Sequence, residues 1–99
     1  MNARRVIARN TSELAKALEL PDVDRITMEL QMDLVEEIVR QTRRNGLTHQ
    51  GLARVAQTSR PRVTAILNGN LEGVSTDLLL RILTALGVRV SVRFRRAAA

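Results

Sequence analysis

From residue 22 onward the apolar positions fall at helical spacing. Val23, Ile26, Leu30, Leu34 and Ile38 form one row, and Met28, Met32, Val35 and Val39 form the next. Two adjacent rows predict one long helix, running to about Arg44, that buries two sides. Asp22 or Asp24 starts it, its acids come early and Arg40, Arg43 and Arg44 come last, as the helix dipole favours. Asn45-Gly46 ends it. Upstream, Thr11 or Ser12 caps a shorter helix with Leu14 and Leu18 on one face, and Pro21 breaks it. Arg5 to Arg9 reads as a short strand or an arm.

Downstream the elements are shorter. Thr48 caps a helix from His49 to Ala56, in which Leu52, Ala53, Val55 and Ala56 are apolar, and Gln57-Thr58 makes a tight turn. Ser59 caps the next helix, with Pro61 in its first turn, where a missing N–H is no loss. That helix buries Val63, Ile66 and Leu67 and closes at Asn68-Gly69. Ser75 or Thr76, followed by Asp77, starts a last helix with Leu78, Leu79, Ile82, Leu83 and Leu86 apolar, ended by Gly87. Then the period changes to two: Val88, Val90, Val92 and Phe94 alternate with Arg89, Ser91, Arg93 and Arg95. The expected fold class is mainly α, with five helices and a C-terminal β-strand.

Composition narrows the function classes. The 99 residues make one domain by length, and Phe94 is the sole aromatic, so the core is aliphatic. There is no cysteine and one histidine, His49, which leaves no disulfide framework, metal cluster or catalytic constellation. The expectation is a binding protein without cofactor, not an enzyme. No apolar run reaches membrane-spanning length and no signal-peptide core follows Arg4-Arg5, so a cytoplasmic location with no membrane partner is expected.

Charge is the most informative feature. The net charge is +6, but residues 12–39 carry eight acids against Lys16 and Arg25. Residues 40–70 carry six arginines and no acid at all. Biased coding accounts for arginine over lysine; it does not account for the missing acids. A helical block without carboxylates is the footprint of a polyanion-binding face.

Two short helices joined by a tight turn read as a helix-turn-helix. On a helical wheel, Val63, Ile66 and Leu67 share one face of the second helix, and Pro61, Thr64, Ala65 and Asn68 share the opposite face, flanked by Arg60 and Arg62. Small residues flanked by arginines can press on a groove floor while the arginines reach past it.

The stretch from Leu47 to Gly69, LTHQGLARVAQTSRPRVTAILNG, resembles the core of the Cro/phage-repressor (XRE) helix-turn-helix family. The shared pattern is L-T-Q, an Ala in the first helix, a turn ending in Ser, then x-P-x-V-S/T-x-L/I-x-x-G. Leu47, Thr48, Ala53, Ser59, Pro61, Val63, Thr64, Ile66 and Gly69 match it. Three positions depart. His49 replaces a phosphate-contacting Gln. Gly51 replaces a helix former, at about 1 kcal/mol relative to Ala. Gln57 replaces the turn Gly, which raises backbone strain there.

The resemblance implies a lambda-repressor-like domain over residues 26–87, in which Arg60, Pro61, Thr64 and Ala65 face the bases of double-stranded DNA. Arg62 joins them by its place beside that face, since an arginine fork matches guanine O6 and N7; phosphate contact is the alternative for either arginine. Candidates for phosphate contact are Thr48, His49, Ser59 and Asn68, with Arg43, Arg44 and Arg54, together with Arg40, supplying the field.

The wider layout resembles the short antitoxins of the HigA group in bacterial toxin–antitoxin pairs. That implies operator binding plus neutralisation of a RelE-like ribonuclease toxin, with residues 1–25 as the toxin-binding candidate. A stand-alone repressor and a nucleoid-type binder of low specificity are the alternatives. Residues 88–95 are expected to pair with a second copy, using Val88, Val90, Val92 and Phe94, to make a homodimer on a palindromic operator; residues 96–99 form a tail.

Overall fold

The computed structural model describes residues 22–96. Four helices lie in this range: α1 (Val23–Arg44), α2 (His49–Ala56), α3 (Arg60–Leu67) and α4 (Thr76–Ala85). The helix expected before Pro21 and the Arg5–Arg9 segment lie outside the described residues. Residues 30–92 form one compact unit; residues 22–29 and 93–96 belong to a second and are treated separately.

The helix ends follow from their caps. Thr48, Ser59 and Ser75 each hold extended backbone and accept a hydrogen bond from the N–H three residues on: Gly51 at 2.9 Å, Arg62 at 3.2 Å and Leu78 at 3.1 Å. Gly46, at φ 63°, turns the chain out of α1, and the Leu47 N–H closes on the Thr42 carbonyl at 3.0 Å. Gly51 proves less of a defect than its helix propensity implies. A Cβ there would stand 3.2 Å from the Thr48 hydroxyl, crowding the oxygen that caps α2.

The core of this unit is built from Leu34, Val35 and Ile38 of α1, Leu52 and Ala53 of α2, Val63 and Ile66 of α3, and Leu79, Ile82 and Leu83 of α4. α2 lies at its centre, packing on both α3 and α4. Thr42 is the one buried polar side chain among the described residues, and its hydroxyl donates to the Ile38 carbonyl at 2.7 Å. Gln31 Nε2 donates to the Val74 carbonyl at 3.3 Å and to Thr76 Oγ1 at 3.0 Å, which ties the α3–α4 loop to α1.

Two expectations are corrected. The long helix forms, but only its C-terminal half buries a face: Val23, Ile26, Met28, Leu30 and Met32 are all exposed. An apolar row is buried only where another helix covers it, and α2, α3 and α4 supply cover for Leu34, Val35 and Ile38. The C-terminal strand is also absent: among the described residues no strand is formed. The Val88 N–H donates to the Leu83 carbonyl at 2.9 Å, closing α4, and its side chain packs on the core. Val88 thus belongs to the helix cap. Beyond it, Val90 is 40% exposed, Val92 73% and Phe94 89%. A ladder needs a second strand, and the described residues offer none.

In the second unit, Asp22 starts the helix: its carboxylate accepts from the Asp24 N–H at 2.8 Å. Arg25 and Glu29 pair on the surface at 3.6 Å. Residues 93–96 have no regular secondary structure and are exposed.

The turn residue Gln57 sits at φ 56°, ψ 47°, in the left-handed region, as its replacement of a glycine foreshadowed. A side chain there costs about 1–2 kcal/mol, whereas glycine's extra freedom in the unfolded chain offsets about 0.5–1 kcal/mol of the relief. Gln57→Gly is therefore expected to raise stability by about 0.5–1 kcal/mol in urea denaturation, with an unchanged slope.

Candidate nucleic-acid interface

The site is built on α3. Val63 and Ile66 anchor it in the core, at 0% and 1% exposure, which fixes the direction of the opposite face. On that face Pro61 is exposed, and Thr64 and Ala65 are half-buried. Arg60 and Arg62 are exposed, as is Asn68, whose N–H groups the last turn by donating to the Thr64 and Ala65 carbonyls. Proline at the second helical position costs α3 no internal hydrogen bond, because the first-turn N–H groups have no partner inside the helix.

The structure gives the two arginines different surroundings. Arg62 Nη1 donates to the Gly73 carbonyl at 3.3 Å, so its guanidinium braces the loop that leads to α4. Arg60 makes no such bond among the described residues. A shallow concavity of about 290 Å³ brings Ser59, Pro61, Arg62 and Ala65 together with Glu72 and Val74. Glu72 was not singled out by the sequence reading. It lies seven residues beyond Ala65, in the loop after α3, and nothing local marks it.

Three of the residues expected to touch phosphate converge. Arg43 of α1, His49 of α2 and Asn68 after α3 line one concavity of about 250 Å³ over an apolar floor of Val39, Leu47 and Leu67. Thr48 and Ser59 stand at the N-termini of α2 and α3, where each oxygen already accepts a capping bond and its hydroxyl proton remains available to an anion. Arg44 and Arg54 are exposed.

The arginines also differ in their pairing. Arg40 forms an ion pair with Glu37, which is held further by Gln41 at 2.8 Å. Its share of the positive field is reduced accordingly. Arg43, Arg44, Arg54, Arg60 and Arg62 take part in no ion pair among the described residues. Five arginines with no ion pair among the described residues, on α1, α2 and α3, supply a positive surface.

One contact had no signal in the sequence. His49 Nδ1 lies 2.8 Å from Thr64 Oγ1, joining the start of α2 to the middle of α3 across fifteen residues.

A capped helix, a tight turn held by Gln57 and a second helix with a small-residue face match a known arrangement. Residues 12–95 match a family model described as a helix-turn-helix domain. The chain belongs to the helix-turn-helix domain family. Searches of curated proteins and of solved structures returned no match. The helix-turn-helix assignment makes this a mainly helical DNA-binding protein, with α2 and α3 as the two motif helices. None of its described helices is long and apolar enough to cross a membrane.

Proposed function

We propose that this helix-turn-helix protein is a sequence-specific transcriptional repressor that reads a palindromic operator with α3, as a homodimer in the bacterial cytoplasm. The observation that carries this reading is α3 itself. Its far side is clamped in the core by Val63 and Ile66, and its outer side presents Pro61, Thr64 and Ala65 beside Arg60 and Arg62. Major-groove recognition needs a rigid helix with a compact face and donors that reach base edges. Arg60 is the principal reader in this account, because Arg62 has its Gly73 bond to break or share. Arg43, Arg44, Arg54, Thr48, His49, Ser59 and Asn68 hold the backbone and set the register.

Size and exposure support the dimer. One eight-residue helix spans too few base pairs to be selective, whereas two copies held about 34 Å apart read successive turns of one face. Val90 and Val92 are apolar and exposed, and a second chain is the partner proposed for them.

A binding test separates reading from mere attraction. On an operator enriched from random duplexes, Arg60→Ala is expected to cost about 1–3 kcal/mol and relax selectivity at one position. Arg43→Ala should weaken all duplexes nearly equally. If Arg60→Ala leaves the ratio of specific to random binding untouched, Arg60 contacts only phosphate.

A second proposal concerns the acidic half of the chain. Residues 12–39 carry eight acids, and the exposed start of α1 adds Val23, Ile26 and Met28. Acidic and apolar side chains together suit a basic protein partner, here a RelE-like ribonuclease toxin, with autoregulation of the shared operon. Truncation of residues 1–25 should then abolish protection from a toxin encoded next to this gene while operator binding persists. Full protection by the truncated chain would leave the stand-alone repressor as the function.

A further inference from the structure

The hydrogen bond between His49 and Thr64 bears on what α3 reads. Three threonines further along the other helices return their hydroxyls to the carbonyl four residues earlier, Thr27 to Val23, Thr42 to Ile38 and Thr84 to Leu80, at 2.7–2.9 Å, while Thr76, the first residue of α4, accepts from Gln31. Thr64 does neither. Its hydroxyl turns out of α3 to meet His49 Nδ1 at 2.8 Å, on the half-buried edge of the face proposed to enter the groove.

A threonine hydroxyl has one proton and two lone pairs, and a neutral imidazole has one donor nitrogen and one acceptor. The polarity of one contact therefore sets the polarity of the next. His49 lines the concavity that also holds Arg43 and Asn68, with no carboxylate among the lining residues. This is the place where a backbone phosphate is proposed to sit. A ring nitrogen useful to a phosphate oxygen must carry the proton, and the nitrogen left for that purpose is Nε2. In the neutral ring Nδ1 is then the acceptor, and Thr64 donates its only proton to it.

We infer that His49 is a positioning residue that commits Thr64 to present lone pairs to DNA, so that Thr64 selects a base with an amino group in the major groove. Those bases are adenine, through N6, and cytosine, through N4; guanine and thymine present only acceptors at the equivalent place. The inference rests on the reading of α3 as the DNA-reading helix and adds a specificity rule to it. A free threonine hydroxyl would rotate to suit donor or acceptor alike and would discriminate little. The histidine fifteen residues away converts it into a reader of amino against keto bases.

The test is selection from a randomised duplex library, followed by sequencing, with wild type, Thr64→Val and His49→Phe. Wild type is expected to enrich one position per half-site in adenine or cytosine on one strand. The amino-to-keto ratio at that position should fall about five-fold in Thr64→Val, the worth of one neutral hydrogen bond. It should fall equally in His49→Phe, and no further in the double variant, because the two side chains act as one unit. Should phenylalanine at 49 unfold the chain, His49→Gln serves. Its amide can turn either its oxygen or its nitrogen to Thr64, so the same relaxation is expected.

Enrichment of guanine or thymine at the Thr64 position would overturn the inference, since Thr64 would then be the donor. So would a His49 variant that keeps the wild-type ratio while Thr64→Val loses it. Failure of wild type to enrich any sequence would overturn the specific-binding reading itself, and this rule with it; the two failures are thus distinct.

Discussion

A chain carrying Val90→Pro and Val92→Asp is expected to sediment as a monomer. It should bind a palindromic operator about a hundred-fold more weakly than wild type, or worse. Val90 and Val92 lie beyond the cap that closes α4, they are 40% and 73% exposed, and neither belongs to the buried core. Neither carries a buried contact of the core among the described residues, so the helices are expected to melt within a few degrees of the wild type. Their loss acts only on the contact proposed with a second copy. Binding of the second half-site is then no longer intramolecular, and linked sites of this kind gain about 10²–10⁴ in avidity. A charge placed in an apolar contact and a proline where an N–H is needed both oppose pairing. Analytical ultracentrifugation at micromolar concentration and a titration of the intact and the half operator decide the matter. A monomeric wild type, or a variant that remains dimeric, means that the second copy docks elsewhere or not at all.

Ile66→Ala is expected to destabilise the protein by about 2–5 kcal/mol, the range for removing a large aliphatic side chain from a packed interior. Ile66 is 1% exposed and packs in the cluster that joins α3 to α2 and α4. Small domains have about 5–15 kcal/mol in all, so this one change removes a large share of the stability. Yet Arg60 and Thr64, on the outer face, are untouched. Operator DNA at a hundred times its dissociation constant should therefore restore about 2.7 kcal/mol, because the ligand binds only the folded chain. Thermal melts with operator and with a scrambled duplex check this. Equal rescue by both duplexes would show that α3 adds no selectivity.

The helix boundaries of the motif were legible because their causes are local. Thr48, Ser59 and Ser75 cap the helices that the sequence assigned to them or to a neighbour, and Gly87 ends α4. Gln57 could be suspected from a single substitution in a turn. What could not be read depends on partners far along the chain. Whether an apolar row is buried is decided by what covers it; Leu34 and Ile38 are covered, whereas Leu30 and Met32, at the same spacing, are not. The alternation of Val88 to Phe94 is a real strand pattern, but Val88 is drawn into the α4 cap and the rest meets no second strand among the described residues.

The site shows the same division. Its residue types and its lack of carboxylates are visible in residues 40–70, and they point to a polyanion. The bonds that differentiate those residues are long-range. Arg62 meets Gly73, Arg40 loses part of its charge to Glu37, and His49 meets Thr64. The first makes Arg62 a loop brace and the last ties the Thr64 hydroxyl to a histidine, neither of which a helical wheel contains.

The central claim is that α3 reads DNA sequence rather than merely its charge. The most direct measurement is the affinity of the wild-type chain for an enriched duplex and for a scrambled duplex of equal length, across a series of salt concentrations. Both affinities are expected to fall with salt, since the exposed arginines displace counterions from the phosphates. The enriched duplex is expected to stay about 10³-fold tighter or more throughout. Affinities that coincide for the two duplexes at every salt concentration would contradict it.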